Sequence, residues 1–266
     1  MATTVLASRG SREQPSGRDN VPGRSALRTT AGLLFTPILL SAVCLALFAY
    51  LGSRDLDDIE RRSINAEVIG RSLVEHLRLV ALSTVIVVVI AVPLGILLTR
   101  PGPRRLAPVF LALANIGQAV PSVGLLVLLA VTAGIGFSQA VVALVVYSLL
   151  PVLRNTMIGL QRVDRTLIDA GRGMGLTRTA VLFRVELPLA IPVMLAGIRV
   201  ALIINVGTAT LAVFTNAGGL GTLIETGIVL NRITILLTGS ILAAVLALAV
   251  DWLAGLAERL LRPRGL

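Results

Sequence analysis

The sequence feature that most constrains the fold is a series of long apolar runs without charged residues. The first run covers residues 33–51. A bilayer core about 30 Å thick is crossed by an α-helix of roughly 20 apolar residues, and a helix satisfies its own backbone hydrogen bonds in lipid. We therefore expect an all-α integral membrane protein with about six transmembrane helices. The other predicted spans are 79–99, 106–133, 137–153, 189–214 and 233–250.

The third run contains an interruption, "NIGQAVPSVG", at 115–124. Its Gly117, Pro121 and Gly124 are residue types that kink or end helices. Backbone groups freed at membrane depth need a neighbouring helix or a water-filled cavity. We expect a break in this span, and we consider Asn115 and Gln118 beside it as candidates for a solute path.

Composition excludes several classes of function. With 55% hydrophobic and 14% charged residues and a mean hydropathy of +0.90, the chain has the composition of an integral membrane protein. All 24 basic residues are Arg, so the chain has no G-x-x-x-x-G-K-[ST] phosphate loop and cannot be a conventional ATPase by itself. One His and one Cys rule out a His/Cys metal cluster or an internal disulfide. We expect no cofactor in this chain, and 3% aromatic residues argue against nucleic acid as a partner.

The distribution of Arg predicts the orientation of the spans. If the amino terminus faces the cytoplasm, seventeen Arg residues fall in inner segments and six in outer ones. Cytoplasmic segments of membrane proteins carry the excess of positive charge. We therefore expect both termini to be cytoplasmic.

The segment between the fourth and fifth spans, 154–188, is longer than a helix connection requires. Its runs "TLIDAGRGMG" and "TAVLFRVELP" carry apolar residues at helical spacing. Gly175 between them suits the left-handed backbone that ends a helix, and Thr177 or Thr179 would cap the next helix. The pattern predicts a cytosolic helix, a tight turn and a second helix, with Pro188 at the point of re-entry into the membrane.

This segment resembles the "EAA" loop of ATP-binding-cassette (ABC) importer permeases, whose pattern is E-A-A-x3-G-x9-I-x-L-P. Both spacings are intact, and the departures are Asp for Glu, Gly for the second Ala and Val for Ile. The resemblance implies that the loop docks on the ATPase and transmits its closure to the membrane helices. The matching residues are Asp169, Ala170, Gly171, Gly175, Val185, Leu187 and Pro188.

The residues around the loop, 153–214, are similar to permeases for glycine betaine, carnitine, choline and related osmoprotectants, as are "QAVPSVGLL" at 118–126 and "NAGGLG" at 216–221. The resemblance implies the ABC type I importer transmembrane-domain architecture in a bacterial inner membrane. Besides the lipid bilayer, the implied partners are an ABC ATPase subunit that holds ATP and Mg, an extracytoplasmic solute-binding protein, and a second permease copy or a paralogous permease. "GAGGLG" is commoner in this branch, so Asn216 is a departure.

Two sets of polar residues have more than one interpretation. In the loop, we expect Asp169 to cap the first helix or to pair with an Arg, while Arg172 and Arg178 either meet acids of the ATPase or only supply inner positive charge. Arg199 in the fifth span either snorkels to the surface or pairs with an acid. Path lining and helix-to-helix hydrogen bonding both fit the remaining candidates for the solute path, which are Asn115, Gln118, Asn205, Thr208 and Thr210.

The sequence divides into a disordered cytoplasmic tail at 1–30, a first transmembrane helix and outer loop at 31–71, a permease core at 72–256 that contains the loop 154–188, and a tail at 257–266. The leading hypothesis is a non-enzymatic permease subunit of an osmoprotectant importer. The alternatives are an ABC permease for another solute such as an amino acid, and a secondary transporter. Proton coupling in the latter would require carboxylates within the spans, and no Asp or Glu lies within the predicted spans between residues 79 and 250.

Overall fold

The computed structural model describes the backbone of residues 22–261 and the side chains of residues 34–261. All regular secondary structure in this range is helical, which confirms the all-α class. The chain divides into two compact units, Met1–Phe35 and Thr36–Leu266, and the packing described below lies in the second. The α-helices are α1 (Pro22–Gly52), α2 (Asp58–Ser63), α3 (Ala66–Leu98), α4 (Ala107–Ala119), α5 (Ser122–Ala133), α6 (Phe137–Gln161), α7 (Arg165–Gly173), α8 (Arg178–Val181), α9 (Leu187–Ala209), α10 (Gly221–Val229) and α11 (Ile233–Leu261).

Five stretches of the described chain are long and apolar enough to cross a bilayer, and a bent helix pair makes a sixth if it counts as one span. This confirms the expectation of about six spans. The bent pair comprises Pro103–Ala119 and Ser122–Ala133, which meet at 92°. The five single stretches are Leu34–Gly52, Ala66–Leu98, Phe137–Gln161, Arg178–Thr215 and Ile233–Leu261.

The predicted break in the third span is present, and α6 braces it. α4 ends before Val120, and Pro121, which has no N–H to continue the helix, precedes α5. The Gln118 Nε2 donates to the Tyr147 carbonyl oxygen at 2.7 Å, and the Tyr147 hydroxyl donates to the Val120 carbonyl oxygen. Gly117 has a different role from the one predicted, because a side chain there would meet Val146 of α6 at 2.8 Å.

The helical stretch that carries the fifth span begins earlier than the sequence suggests. α8 continues through a π-helical turn, Leu182–Glu186, into α9, and a 3₁₀ turn, Thr210–Thr215, follows. Pro188 therefore lies inside a continuous helical stretch, and its place at the point of re-entry into the membrane stays a prediction. It occupies the first turn of α9, and the wider π turn before it, closed by the Leu187 N–H on the Leu182 carbonyl, accommodates the missing donor.

Helices run across three of the predicted segment boundaries. Residues 22–30, expected in a disordered tail, belong to α1, and Pro22 suits the first position of a helix. α3 begins at Ala66 because the Asn65 side chain caps it by accepting from the Val68 N–H at 2.8 Å. α11 continues to Leu261 across the predicted tail boundary at 257, since no Gly or Pro interrupts it after Gly255. The rest of the predicted tails, 1–21 and 262–266, lies outside the described residues.

Glycines set the close approach of the central helices α3, α6 and α9. A Cβ at Gly197 of α9 would lie 2.6 Å from the Asn155 Cβ and 2.8 Å from the Pro151 carbonyl oxygen, both on α6. At Gly95 of α3 it would lie 2.8 Å from the Thr156 Cγ2. Small residues are used in this way where membrane helices pack without a hydrophobic driving force between them.

We predict that Gly197→Ala lowers the stability of the purified chain by about 1–3 kcal/mol, the usual cost of overpacking a tight contact. Gly207→Ala on the same helix is the control, because no heavy atom lies within 4 Å of the added carbon. Thermal unfolding in detergent measures both. Equal midpoints for the two variants would show that the α6–α9 contact is looser than described.

Candidate functional site

The predicted helix-turn-helix is present at α7 and α8, and each helix has its own cap. The Asp164 carboxylate accepts from the Thr166 N–H at 2.9 Å, and the Thr177 Oγ1 accepts from the Ala180 N–H at 3.2 Å. The capping role predicted for Asp169 is therefore wrong: α7 starts at Arg165, so Asp164 is in the capping position. Hydrogen bonds from the Thr166 side chain and then its backbone lower the pKa of Asp164. The cap is therefore present above this lowered pKa and is lost as the pH falls through it.

The turn after α7 is a Schellman motif centred on Gly175. Gly175 has φ +83°, the left-handed conformation predicted for it. The Leu176 N–H donates to the Gly171 carbonyl at 3.1 Å, and the Gly175 N–H donates to the Arg172 carbonyl at 2.9 Å. These two bonds satisfy carbonyls that would otherwise be free at the helix end.

The loop has a small apolar core of its own. Gly171 is buried, and a Cβ added to it would meet Val181, Leu176 and Val185 at 3.5, 3.6 and 3.7 Å. These are ordinary van der Waals distances, so an Ala fits as well as the Gly present here. α7 is thereby held against the second helix, and Gly171 and Val185 have a packing role.

The root of the loop is fixed to the membrane helices by apolar contacts and one ion pair. Leu182 and Leu187 flank Glu186 and pack against a cluster formed by α3, α6 and α9, with Ile96, Leu160 and Met194 among its members. The Arg100 guanidinium, just beyond α3, donates to both oxygens of Glu186 at 3.1 and 2.5 Å. Glu186 itself is only 6% exposed.

The outer face of the loop carries exposed apolar side chains that the sequence analysis missed. Met174 is 77% exposed, Phe183 62% and Leu167 48%. Phe183 lies two residues after the buried Val181 and so on the other side of its helix. Leu167 and Met174 lie four and three residues from the buried Gly171, so residue spacing alone does not identify them. Ala170 and Asp169 are also exposed.

A cavity of about 720 Å³ lies beside α7, and most of the charged residues that line it are Arg. A second cavity of about 500 Å³ shares Arg100, Arg172 and Glu186 with it. Among residues 34–261, no group of His, Cys, Asp or Glu side chains could hold a metal ion. The charged residues that line the larger cavity are Arg100, Arg104, Arg165, Asp169, Arg172 and Glu186.

Residues 91–263 match the family described as binding-protein-dependent transport system inner membrane component. The chain belongs to this family. It is 38% identical over 206 residues to the carnitine transport permease protein OpuCD of Listeria monocytogenes, covering 77% of this chain and 92% of that protein. It is 40% identical over 229 residues to the osmoprotectant import permease protein OsmY of Salmonella typhimurium, covering 86% and 94%.

The fold is shared with a solved ABC transporter. An inward-facing structure of the MetNI methionine ABC transporter matches with a TM-score of 0.63 and 27% sequence identity, covering 73% of this chain and 96% of that one. The chain is thus an ABC importer permease of the inner membrane, and the expected transmembrane-domain architecture is confirmed.

The five path candidates of this permease lie on α4, on α9 and in the turn after α9, and their surroundings differ. On α4, Asn115 is exposed and Gln118 braces the bend. On α9, the buried Asn205 donates to the Thr84 Oγ1 at 2.9 Å. In the 3₁₀ turn that follows, the Thr210 hydroxyl donates to its own helix at the Gly207 carbonyl. Thr208 is half-buried. Of the two alternatives, Gln118 and Asn205 therefore form helix-to-helix hydrogen bonds in this chain.

The Gly-rich "NAGGLG" segment is held by two residues that the sequence analysis did not select. The Glu75 carboxylate accepts from the Gly219 N–H at 3.0 Å, and the His76 Nδ1 accepts from the Leu220 N–H at 3.3 Å. The His76 Nε2 lies 3.1 Å from the Val206 carbonyl oxygen, so the imidazole joins α3, α9 and the Gly-rich segment. Asn216 has φ 54°, and Asn is one of the few residues other than Gly that adopt this conformation.

Arg199 pairs with an acid, which resolves the alternative left open by the sequence. Its guanidinium donates to both oxygens of Asp251 at 2.6 and 2.8 Å, and Glu258 lies 3.7 Å away. The predicted spans between 79 and 250 hold no carboxylate, but the helices are longer than those spans. α11 extends past residue 250 and carries Asp251 and Glu258, and the helical stretch before α9 includes Glu186. Each of these carboxylates has an Arg partner.

We predict that Gly175→Ala weakens the turn of this permease by about 1 kcal/mol, because a Cβ disfavours the left-handed backbone. The amide of Leu176 should then exchange roughly fivefold faster with deuterium. Gly173→Ala is the control, since Gly173 is helical and has open space around it. Exchange followed by mass spectrometry measures both, and unchanged exchange in Gly175→Ala would contradict the assignment of this turn.

Proposed function

We propose that this chain is the membrane-spanning subunit of an ATP-driven, binding-protein-dependent importer for osmoprotectants of the glycine betaine, choline, carnitine or proline type. The similarity to OpuCD and OsmY supports this cargo, since both names refer to such solutes and both matches cover most of each chain. The alternative cargo, an amino acid such as methionine, has the weaker support of 27% identity to the MetNI transporter.

The observation that carries the proposal is the rigid loop with an exposed apolar face. ATP hydrolysis takes place in a separate ABC ATPase subunit, which holds ATP and Mg. Leu167, Met174 and Phe183 dock on that subunit, while Arg172 and Arg178 face its acids. A loop with its own core and a fixed turn transmits motion as a rigid body, whereas a flexible linker would absorb it.

The orientation and the other partners follow from the same proposal. Both termini and the loop face the cytoplasm, in agreement with the excess of Arg in these segments. A solute-binding protein delivers the cargo at the opposite face. A second permease copy or a paralogue completes the path, and Asn115, Thr208 and Thr210 are the candidate lining residues that remain in this chain.

Cargo recognition resides mainly in the binding protein. Quaternary ammonium groups are held by aromatic side chains through cation–π contacts. The sequence contains one Trp, two Tyr and six Phe, and Phe183 lies in the loop while Phe35 and Phe48 lie in α1. The permease thus supplies a path and the coupling loop.

Docking is tested by co-purification in mild detergent from the producing cells. We predict that the wild-type chain retains an ATPase with a phosphate loop and that Met174→Ser/Phe183→Ser loses it. Removing two apolar anchors costs at least about 2 kcal/mol, or roughly thirtyfold in affinity. Ile59→Ser, an exposed apolar position on α2, is the control that should retain the ATPase. Equal retention by the double variant and the control would refute docking through this face.

The cargo is tested by uptake of radiolabelled carnitine in a strain that lacks its other carnitine importers. We predict uptake that depends on this chain, is suppressed by excess unlabelled glycine betaine and is unaffected by methionine. Suppression by methionine alone would favour the amino-acid alternative.

A further inference from the structure

The ion pair between Arg100 and Glu186 joins two parts of the permease that are far apart in sequence. Arg100 follows Thr99, the residue that caps the end of α3. Glu186 is the last residue of the π-helical turn through which the loop enters α9. The pair therefore fastens the end of one membrane helix to the root of the loop.

The geometry of the pair favours a permanent contact. The planar guanidinium donates through both terminal nitrogens to both carboxylate oxygens, the bidentate arrangement that gives strong and directional pairing. Glu186 is 6% exposed, and a buried carboxylate left without its partner is strongly unfavourable. Separation of α3 from the loop root is thus resisted by more than apolar packing.

The pair also lies close to the helix that we propose to be moved by the ATPase. Arg172 of α7 lines both cavities together with Arg100 and Glu186. The π turn that presents Glu186 departs from regular α-helix geometry, and such turns are frequent at functional positions. On either side of Glu186, Leu182 and Leu187 pack into the cluster that includes Ile96 of α3.

We propose that Arg100 and Glu186 form a coupling pin: the pair makes the loop and the adjoining end of α3 move together, so that ATPase closure acts on the solute path. Both are positioning residues, because neither has to contact solute or nucleotide. This inference rests on the proposed function. It assigns a role to Glu186, which occupies the unspecified x position of the I-x-L-P part of the loop pattern.

The experiment measures solute imported per ATP hydrolysed, using the complete transporter purified from the producing cells in proteoliposomes with radiolabelled carnitine. In Arg100→Gln/Glu186→Gln both charges are removed and replaced by amides of similar size, so no unpaired charge is buried. We expect this variant to keep the ATPase subunit and its hydrolysis but to import roughly tenfold less carnitine per ATP, a loss within the usual range of coupling between sites. A merely structural defect would lower import and hydrolysis in proportion.

Arg104→Gln is the matched control, because Arg104 lines the same larger cavity and has no ion-pair partner among the described residues. It should keep the wild-type ratio. A wild-type ratio in the double variant, or an equal loss in Arg104→Gln, would overturn the pin while leaving the permease function intact. Failure of the wild-type chain to retain an ATPase would instead refute the proposed function, and the pin with it.

Discussion

This structure depends on the need to give polar groups partners where water is absent. In a helical membrane protein the backbone N–H and C=O groups are hydrogen-bonded to one another except where a helix breaks. Polar side chains away from water are unfavourable unless they have hydrogen-bond or ion-pair partners. Several such side chains hold the breaks of this chain together. Gln118 and Tyr147 hold the bend between α4 and α5, and His76 bonds to the Gly-rich segment. Arg100 and Glu186 meet at the π turn.

These braces leave a permease with stiff parts joined at a few defined positions. Glycines such as Gly197 bring the central helices close together, and the loop has a core of its own around Gly171. In our proposal, a force applied to the loop is transmitted to α9 and, through Arg100, to the end of α3. Met174 and Phe183 are exposed on the surface of the loop, where a partner can reach them. Rigidity within each part is what lets a soluble ATPase act on a path through the membrane.

Much of this could be predicted from the sequence because its signals are local. The apolar runs predicted the number of spans, Pro121 predicted the break, and Gly175 predicted the left-handed turn. The failures arose where distant residues decide the outcome. Asp169 matched the loop pattern, but the helix starts at Arg165, so Asp164 caps it. The Arg100–Glu186 contact spans residues that no local pattern connects.

The central claim, that the exposed face of the loop meets the ATPase, is tested most directly by site-specific cross-linking. Cys44 is the only cysteine, so Cys44→Ser gives a background in which Met174→Cys can carry a thiol-linked photo-cross-linker. Our account predicts an adduct with a phosphate-loop ATPase in the assembled transporter, and none from Val229→Cys, an exposed position on α10. An ATPase adduct from Val229→Cys and none from Met174→Cys would contradict the account.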